Sequence, residues 1–294
     1  MTMRIWLAAL LCVVTVPAQA QAQVPAFTEV FVAVDTGRTR DEGGKAVPVT
    51  QRAILTLPAR PTDTALLFFR GNPGYMLANS VDDKRRNLGW IGRNGEAHRV
   101  LMQSGIALAQ MDCPTDQWGE TPRPPATACL NDYRKSRQHA DDVRKMLAHL
   151  KERHGLAKAY ILGHSIGTVS SRWLNVNLAK GEVAGIVHSA TINVANPKGH
   201  LLQVLGNLWS EFPGKAADIP MLHVHHENDA CPVTPYGMVR AYAKGNLVTV
   251  KGGEADGDPC GAGHHHSHQG REAAAMGAIV AWIKTGRVEA TVGE

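Results

Sequence analysis

The sequence is short of charge, of aromatic rings and of long apolar runs. Charged residues make up 19% of the 294 residues, and Phe, Trp and Tyr only 5%. Hydrophobic residues reach 44%. So much apolar material has to be buried, which excludes a wholly disordered chain. The 29 glycines follow no period, which excludes a collagen-like fibre. The formal net charge of +5 is spread along the chain without a Lys/Arg stripe, so no nucleic-acid partner is expected. There is no internal repeat, and the length suits one large α/β domain or two small ones.

The single long apolar run stands at the start. Arg4 supplies a positive end, Ile5 to Val16 an apolar stretch, and Pro17 breaks it ahead of Ala18-Gln19-Ala20. A second small-residue site, Ala20-Gln21-Ala22, follows. The run is shorter than the ~20 apolar residues a membrane span needs. Residues 1–20 are therefore expected to be a signal peptide rather than a buried helix, and residues 21–294 one exported domain, periplasmic or extracellular. Cys12 would leave with the leader, so five cysteines become four. An even count in an exported chain suggests disulfides. Of the three possible pairings, Cys113 with Cys129 and Cys231 with Cys260 close the shortest loops. In the chain-entropy picture each bridge is worth about 3 kcal/mol or more.

Apolar runs mark strands at 64–70 and 106–111, and their continuity suits a parallel sheet buried on both faces. Residues 29–36 and 50–57 read as an antiparallel hairpin whose loop is 38–45. Tyr133, Ala140, Val143, Leu147 and Leu150 recur at helical spacing, with Asn131 or Asp132 as cap and Gly155 as stop. Further strands are expected at 159–162, 184–188, 221–226 and 247–251, with helices at 166–178 and 270–284. The alternation predicts an α/β fold: a mostly parallel sheet, helices on both faces and an antiparallel start. Residues 192–218 break the pattern and read as either a crossover helix or a small cap.

Gly163-His164-Ser165-Ile166-Gly167 matches G-x-S-x-G between an expected strand and an expected helix. That context places a serine hydroxyl on a tight turn above the sheet. Bulky groups two residues to either side would clash there. The following helix N-terminus brings a positive dipole to the place where an oxyanion forms. With these residues the sequence resembles the α/β-hydrolase family over roughly residues 27–285. The resemblance implies the chain order Ser, then Asp or Glu, then His.

It also implies the partners. His225-His226-Glu227-Asn228-Asp229 resembles the family's H-G-x-x-D pattern, with His226 in place of glycine. Asp229 is then the expected acid, ahead of Glu227, Asp256 and Asp258. Asp258-Pro259-Cys260 and His266-Ser267-His268-Gln269-Gly270-Arg271-Glu272 resemble a segment of some secreted bacterial members. That places His266 as the base, with His264, His265 and His268 as competitors. The oxyanion donors would be the backbone N–H groups of Ile166 and Asn72, because Pro73 has none to give. Arg70 stands where the family often has histidine.

The histidine cluster at 264–268 lacks the i,i+4 helical spacing of metal-binding pairs, so no metal and no cofactor is expected. The expected activity is hydrolysis of a small-molecule carboxylic ester through an acyl-enzyme on Ser165. A serine peptidase, amidase or thioesterase would use the same residues, and a non-catalytic binding protein could share the fold.

Overall fold

The computed structural model describes residues 26–83, 89–118, 129–194, 219–243 and 245–294. The expected signal peptide lies outside them, as does the region of the expected cap from residue 195 onward.

Nine strands among the described residues form one sheet, in the order β1-β2-β4-β3-β5-β6-β7-β8-β9. β1 (Phe27–Glu42) and β2 (Lys45–Pro58) make the antiparallel start. β2 also pairs antiparallel with β4 (Ala107–Met111). From there the sheet is parallel through β3 (Thr64–Phe69), β5 (Lys158–His164), β6 (Gly185–Ser189), β7 (Met221–His226) and β8 (Leu247–Val250). A short β9 (Thr291–Val292) extends the sheet beyond residue 285.

Period-two alternation divides the central strands between two cores. In β3, Leu66 and Phe68 join a cluster with Leu101, Met276, Ile279 and Ile283. These come from α1 (Glu96–Ser104) and from α6 (Glu272–Thr285). Ala65, Leu67 and Phe69 face the other way, toward Val143, Met146, Leu150 and Leu174. The first three of those belong to α3 (Arg137–His154) and the last to α4 (Gly167–Asn177). Burial on both faces is why the strands read as continuous apolar runs.

Three local features differ from the sequence reading. Residues 38–45 are not a loop: β1 runs to Glu42, β2 resumes at Lys45, and Gly43-Gly44, both at positive φ, make the turn. The charges there are anchors. Arg38 donates to both carboxylate oxygens of Asp142 on α3, at 2.6 and 2.9 Å. Arg38 lies where the register shifts, between Asp35 and Thr39. Second, the expected helix from Asn131 is split into α2 (Asn131–Lys135) and α3. Ser136 between them is extended, and its hydroxyl accepts the His139 N–H at 3.1 Å, so Ser136 caps α3. Gly155 ends α3 in the left-handed conformation, as expected. Third, α1 and the short α5 (Tyr236–Tyr242) stand where no helix was read.

Candidate active site

β5 delivers the chain to Ser165, and α4 carries it away. Ser165 has φ 52°, a left-handed conformation that is costly for a residue with a side chain. The glycines flanking it have a measurable reason. A Cβ on Gly167 would lie 2.0 Å from the Phe69 carbonyl oxygen, and one on Gly163 would lie 2.3 Å from Ser171 Oγ. The turn is tied to β6 by the Ser165 N–H, which donates to the Ser189 carbonyl at 3.0 Å. Ser165 lines a cleft of about 190 Å³ together with Gly71, Asn72, Arg70, Cys260 and His266.

β7 ends at His226, and Asp229 follows in a turn whose N–H bonds the His226 carbonyl at 3.1 Å. The Asp229 side chain is fully buried. Its Oδ1 accepts the Cys231 N–H at 3.0 Å, and its Oδ2 accepts the Thr234 hydroxyl at 2.8 Å. Oδ2 also lies 3.1 Å from His266 Nδ1 and 3.2 Å from His225 Nε2. Burial by itself would raise the Asp229 carboxyl. The hydrogen bonds from His225 and His266 outweigh burial and hold it below the usual carboxylate range.

His266 sits in a single 3-10 turn, His265–Ser267, just before α6. With the carboxylate beside Nδ1, the proton belongs on Nδ1 and the lone pair on Nε2. Nε2 is buried and has no hydrogen-bond partner among the described residues. Asp229 thus meets His266, and His266 lines the same cleft as Ser165.

The competitors go elsewhere. Glu227, Asp256 and Asp258 are exposed, although Asp258 reaches the cleft wall. His265 stacks on His226 at 4.1 Å, with its Nδ1 3.2 Å from the Asn228 carbonyl. His264 packs edge-on against His265. His268 is buried, its Nε2 2.9 Å from Ser189 Oγ and its ring against Trp90. Burial, then the neighbouring His225 and His226, push His268 down to about 3. Ser189 Oγ also meets His164 Nδ1 at 3.1 Å. Burial, then His266 and His268, hold His164 well below the usual histidine range. Of the four clustered rings, His266 alone turns to Asp229. Among the described residues, no three His, Cys, Asp or Glu side chains are grouped to hold a metal ion.

Gly71 and Asn72 reach the same cleft from the end of β3. A Cβ on Gly71 would lie 3.3 Å from Ser165 Cβ, so this turn rests directly on the serine. The Gly74 N–H closes the turn onto the Gly71 carbonyl at 2.7 Å. Both expected disulfides are present, Cys113–Cys129 and Cys231–Cys260. The second joins the loop after Asp229 to the segment before His266, with Cα atoms 4.7 Å apart. Sequence reasoning missed His225 and Thr234 as partners of Asp229. His225 was visible in the motif, whereas Thr234 gave no signal because its contact exists only once the loop folds back.

No family model and no curated protein matches the chain by sequence. Solved structures do. A poly(3-hydroxybutyrate) depolymerase from Bordetella parapertussis is 11% identical, with a TM-score of 0.51 over 90% of this chain and 91% of that one. A dienelactone hydrolase from Anabaena variabilis is 17% identical, with a TM-score of 0.49 over 88% and 94%. An α/β serine hydrolase without lid from Xanthomonas campestris is 12% identical, with a TM-score of 0.45 over 88% and 93%. The strand order, the strand–turn–helix at Ser165 and the likeness to the first of these show that the chain has the α/β-hydrolase fold.

Proposed function

We propose that this chain is an exported serine hydrolase that cleaves a small carboxylic ester through an acyl-enzyme on Ser165. One observation carries the reading. Asp229 holds His266 by Nδ1, leaving an unpartnered Nε2 on a histidine that lines the cleft of Ser165.

The contacts of Asp229 and His266 support the following steps. His266 Nε2 takes the Ser165 Oγ proton as Oγ bonds to the ester carbonyl carbon. The carbonyl π pair moves to oxygen, and the N–H groups of Asn72 and Ile166 receive the oxyanion. Each such donor typically contributes about 2.7–4 kcal/mol to the transition state. The C–O bond to the alcohol breaks, and His266 gives its proton to the departing oxygen. Water then repeats the sequence on the acyl-serine, losing its proton to His266, and the acid leaves as Ser165 recovers its hydrogen. Asp229 remains ionised throughout and stabilises the imidazolium. An alkoxide leaves more readily than an amide nitrogen, so an ester asks least of this site. The chain's own residues carry every step.

Two disulfides support export, because such bonds form and persist in oxidising compartments. Among the described residues no helix is long and apolar enough to cross a membrane. The test is labelling with a fluorophosphonate, followed by panels of esters, thioesters and peptides. Wild type should be labelled and should turn over esters at an undiminished rate in chelator. Ser165→Ala should fold and do neither. Turnover by folded Ser165→Ala, or a clear loss in chelator, refutes the reading. A preference for peptides moves it to the amidase class.

A further inference from the structure

Arg134, on α2, is buried, and among the described residues its side-chain hydrogen bonds go to neutral acceptors. Nε donates to the Cys129 carbonyl at 3.0 Å, Nη1 to Ser170 Oγ at 2.9 Å, and Nη2 to the Gly74 carbonyl at 2.6 Å. Burying a guanidinium against neutral oxygens is costly, and an apolar side chain of similar volume would fill the space more cheaply. Burial, partly offset by Tyr133 and Asp112, pushes Arg134 down to about 10. What an arginine adds is a rigid, planar fork with fixed directions. Here the fork joins three segments: the turn after β3, helix α4 and the loop closed by Cys113–Cys129.

The first two of those segments flank the proposed oxyanion site. Gly74 closes the Gly71–Gly74 turn that carries Asn72. Ser170 lies on α4, one helical turn and a little more beyond Ser165. The Cβ position of Gly74 lies 2.5 Å from Arg134 Nη2 and 3.0 Å from Ile166 Cγ2, so the turn, the guanidinium and the residue after Ser165 are packed together. A second anchor holds the same strip of chain further along. The Asp112 carboxylate accepts the N–H groups of Met76 and Ala78, each at 2.8 Å. Cys113 follows Asp112, and Cys129 supplies the carbonyl that Arg134 binds, so the disulfide couples the two anchors.

We infer that Arg134 is a positioning residue for the oxyanion hole, holding the Asn72 turn against the helix that follows Ser165. This rests on the proposed hydrolase reading. Misplacing a reacting group by 1 Å can cost on the order of 10²-fold in rate. The donor-to-oxyanion distance is the quantity Arg134 sets.

The test uses matched oxo-esters and thionoesters of one acyl group, with the mature protein and its disulfides intact. Sulfur accepts hydrogen bonds weakly, so the rate preference for the oxo-ester reports the oxyanion donors. In Arg134→Met, kcat on the oxo-ester should fall on the order of 10²-fold, KM should change little, and the oxo/thiono preference should shrink. Arg134→Lys should recover part of the loss. Ser170→Ala, which removes one of the three anchors, should give a smaller shift of the same kind. A folded Arg134→Met with kcat within about twofold of wild type overturns the inference, as does a fall in kcat that leaves the preference unchanged. If Arg134→Met gives no cooperative melt, Ser170→Ala decides by the same preference, an unchanged value overturning the inference. A wild type that neither turns over esters nor takes the fluorophosphonate overturns the hydrolase reading, and this inference with it.

Discussion

Asp229 Oδ2 is shared by three side chains, Thr234, His266 and His225. Burying a carboxylate costs several kcal/mol unless hydrogen bonds offset it, and these contacts are the offset. Among the clustered histidines at 264–268, His266 alone meets this carboxylate. His266→Ala should therefore lower kcat/KM by on the order of 10²–10⁴-fold or more. His264→Ala and His265→Ala should stay close to wild type in an ester assay. Equal losses in all three would refute the assignment of the base. Ser165 was legible from five residues, because a serine between two glycines on a strand-to-helix turn has a steric explanation. Asp229 needed a resemblance as well as a pattern. Thr234 was not legible, because it meets Asp229 only through the turn that its own N–H closes on the Cys231 carbonyl.

The strand–turn–helix β5–Ser165–α4 is the element on which the site depends. Gly167 makes room for backbone, and Gly163 for both the Ser171 side chain and the Gly167 carbonyl. Gly167→Ala would bring a methyl 2.0 Å from the Phe69 carbonyl, which can be relieved only by moving β3 or α4. Overpacking of this kind costs about 1–3 kcal/mol or more, and Gly167→Ala should also lose fluorophosphonate labelling. A variant melting and labelling like wild type would contradict the elbow geometry. Ser136 gives a milder case. Ser136→Ala removes the cap of α3 and should cost about 1 kcal/mol, read from urea unfolding, with activity unchanged. The break at Ser136 escaped the sequence reading because the apolar spacing continues across it. The hairpin itself was read correctly, but the length of its loop was misread for a different reason. A run of charges looks like a solvated loop until Arg38 finds Asp142 on a distant helix.

At the scale of the whole molecule, the sheet is buried on both faces and several histidines are buried with it. His139, His223 and His268 are each lowered to about 3, with burial the first cause. Their ordinary value is 6.5, so between about pH 3 and 6.5 the unfolded chain binds more protons than the folded one. Stability should then be full above pH 6.5 and be lost as pH falls toward 3. The slope should approach about 1.4 kcal/mol per pH unit for each histidine. Urea midpoints measured from pH 7 to pH 4 check this, and a flat profile would show that these rings are protonated in the native state. The disulfides give a second measurement. Native mature protein should show no free thiol, and four after reduction in denaturant, because Cys113, Cys129, Cys231 and Cys260 are all paired. Any free thiol before reduction would contradict export with the leader removed.

The amino-acid order by itself determined the alternation of strand and helix and the turn at Ser165, and it favoured the local pairing of the cysteines that the structure shows. Each depends on residues close in the chain: periodicity, glycine sterics and loop length. Tertiary structure alone decided which of four histidines meets Asp229, and that Arg134 spans the Asn72 turn, α4 and the Cys129 loop. All but the Cys129 contact join residues 36 to 60 positions apart. Neighbouring histidines are chemically alike in sequence. Only the direction in which the folded loop points each ring, and the burial around it, makes them different.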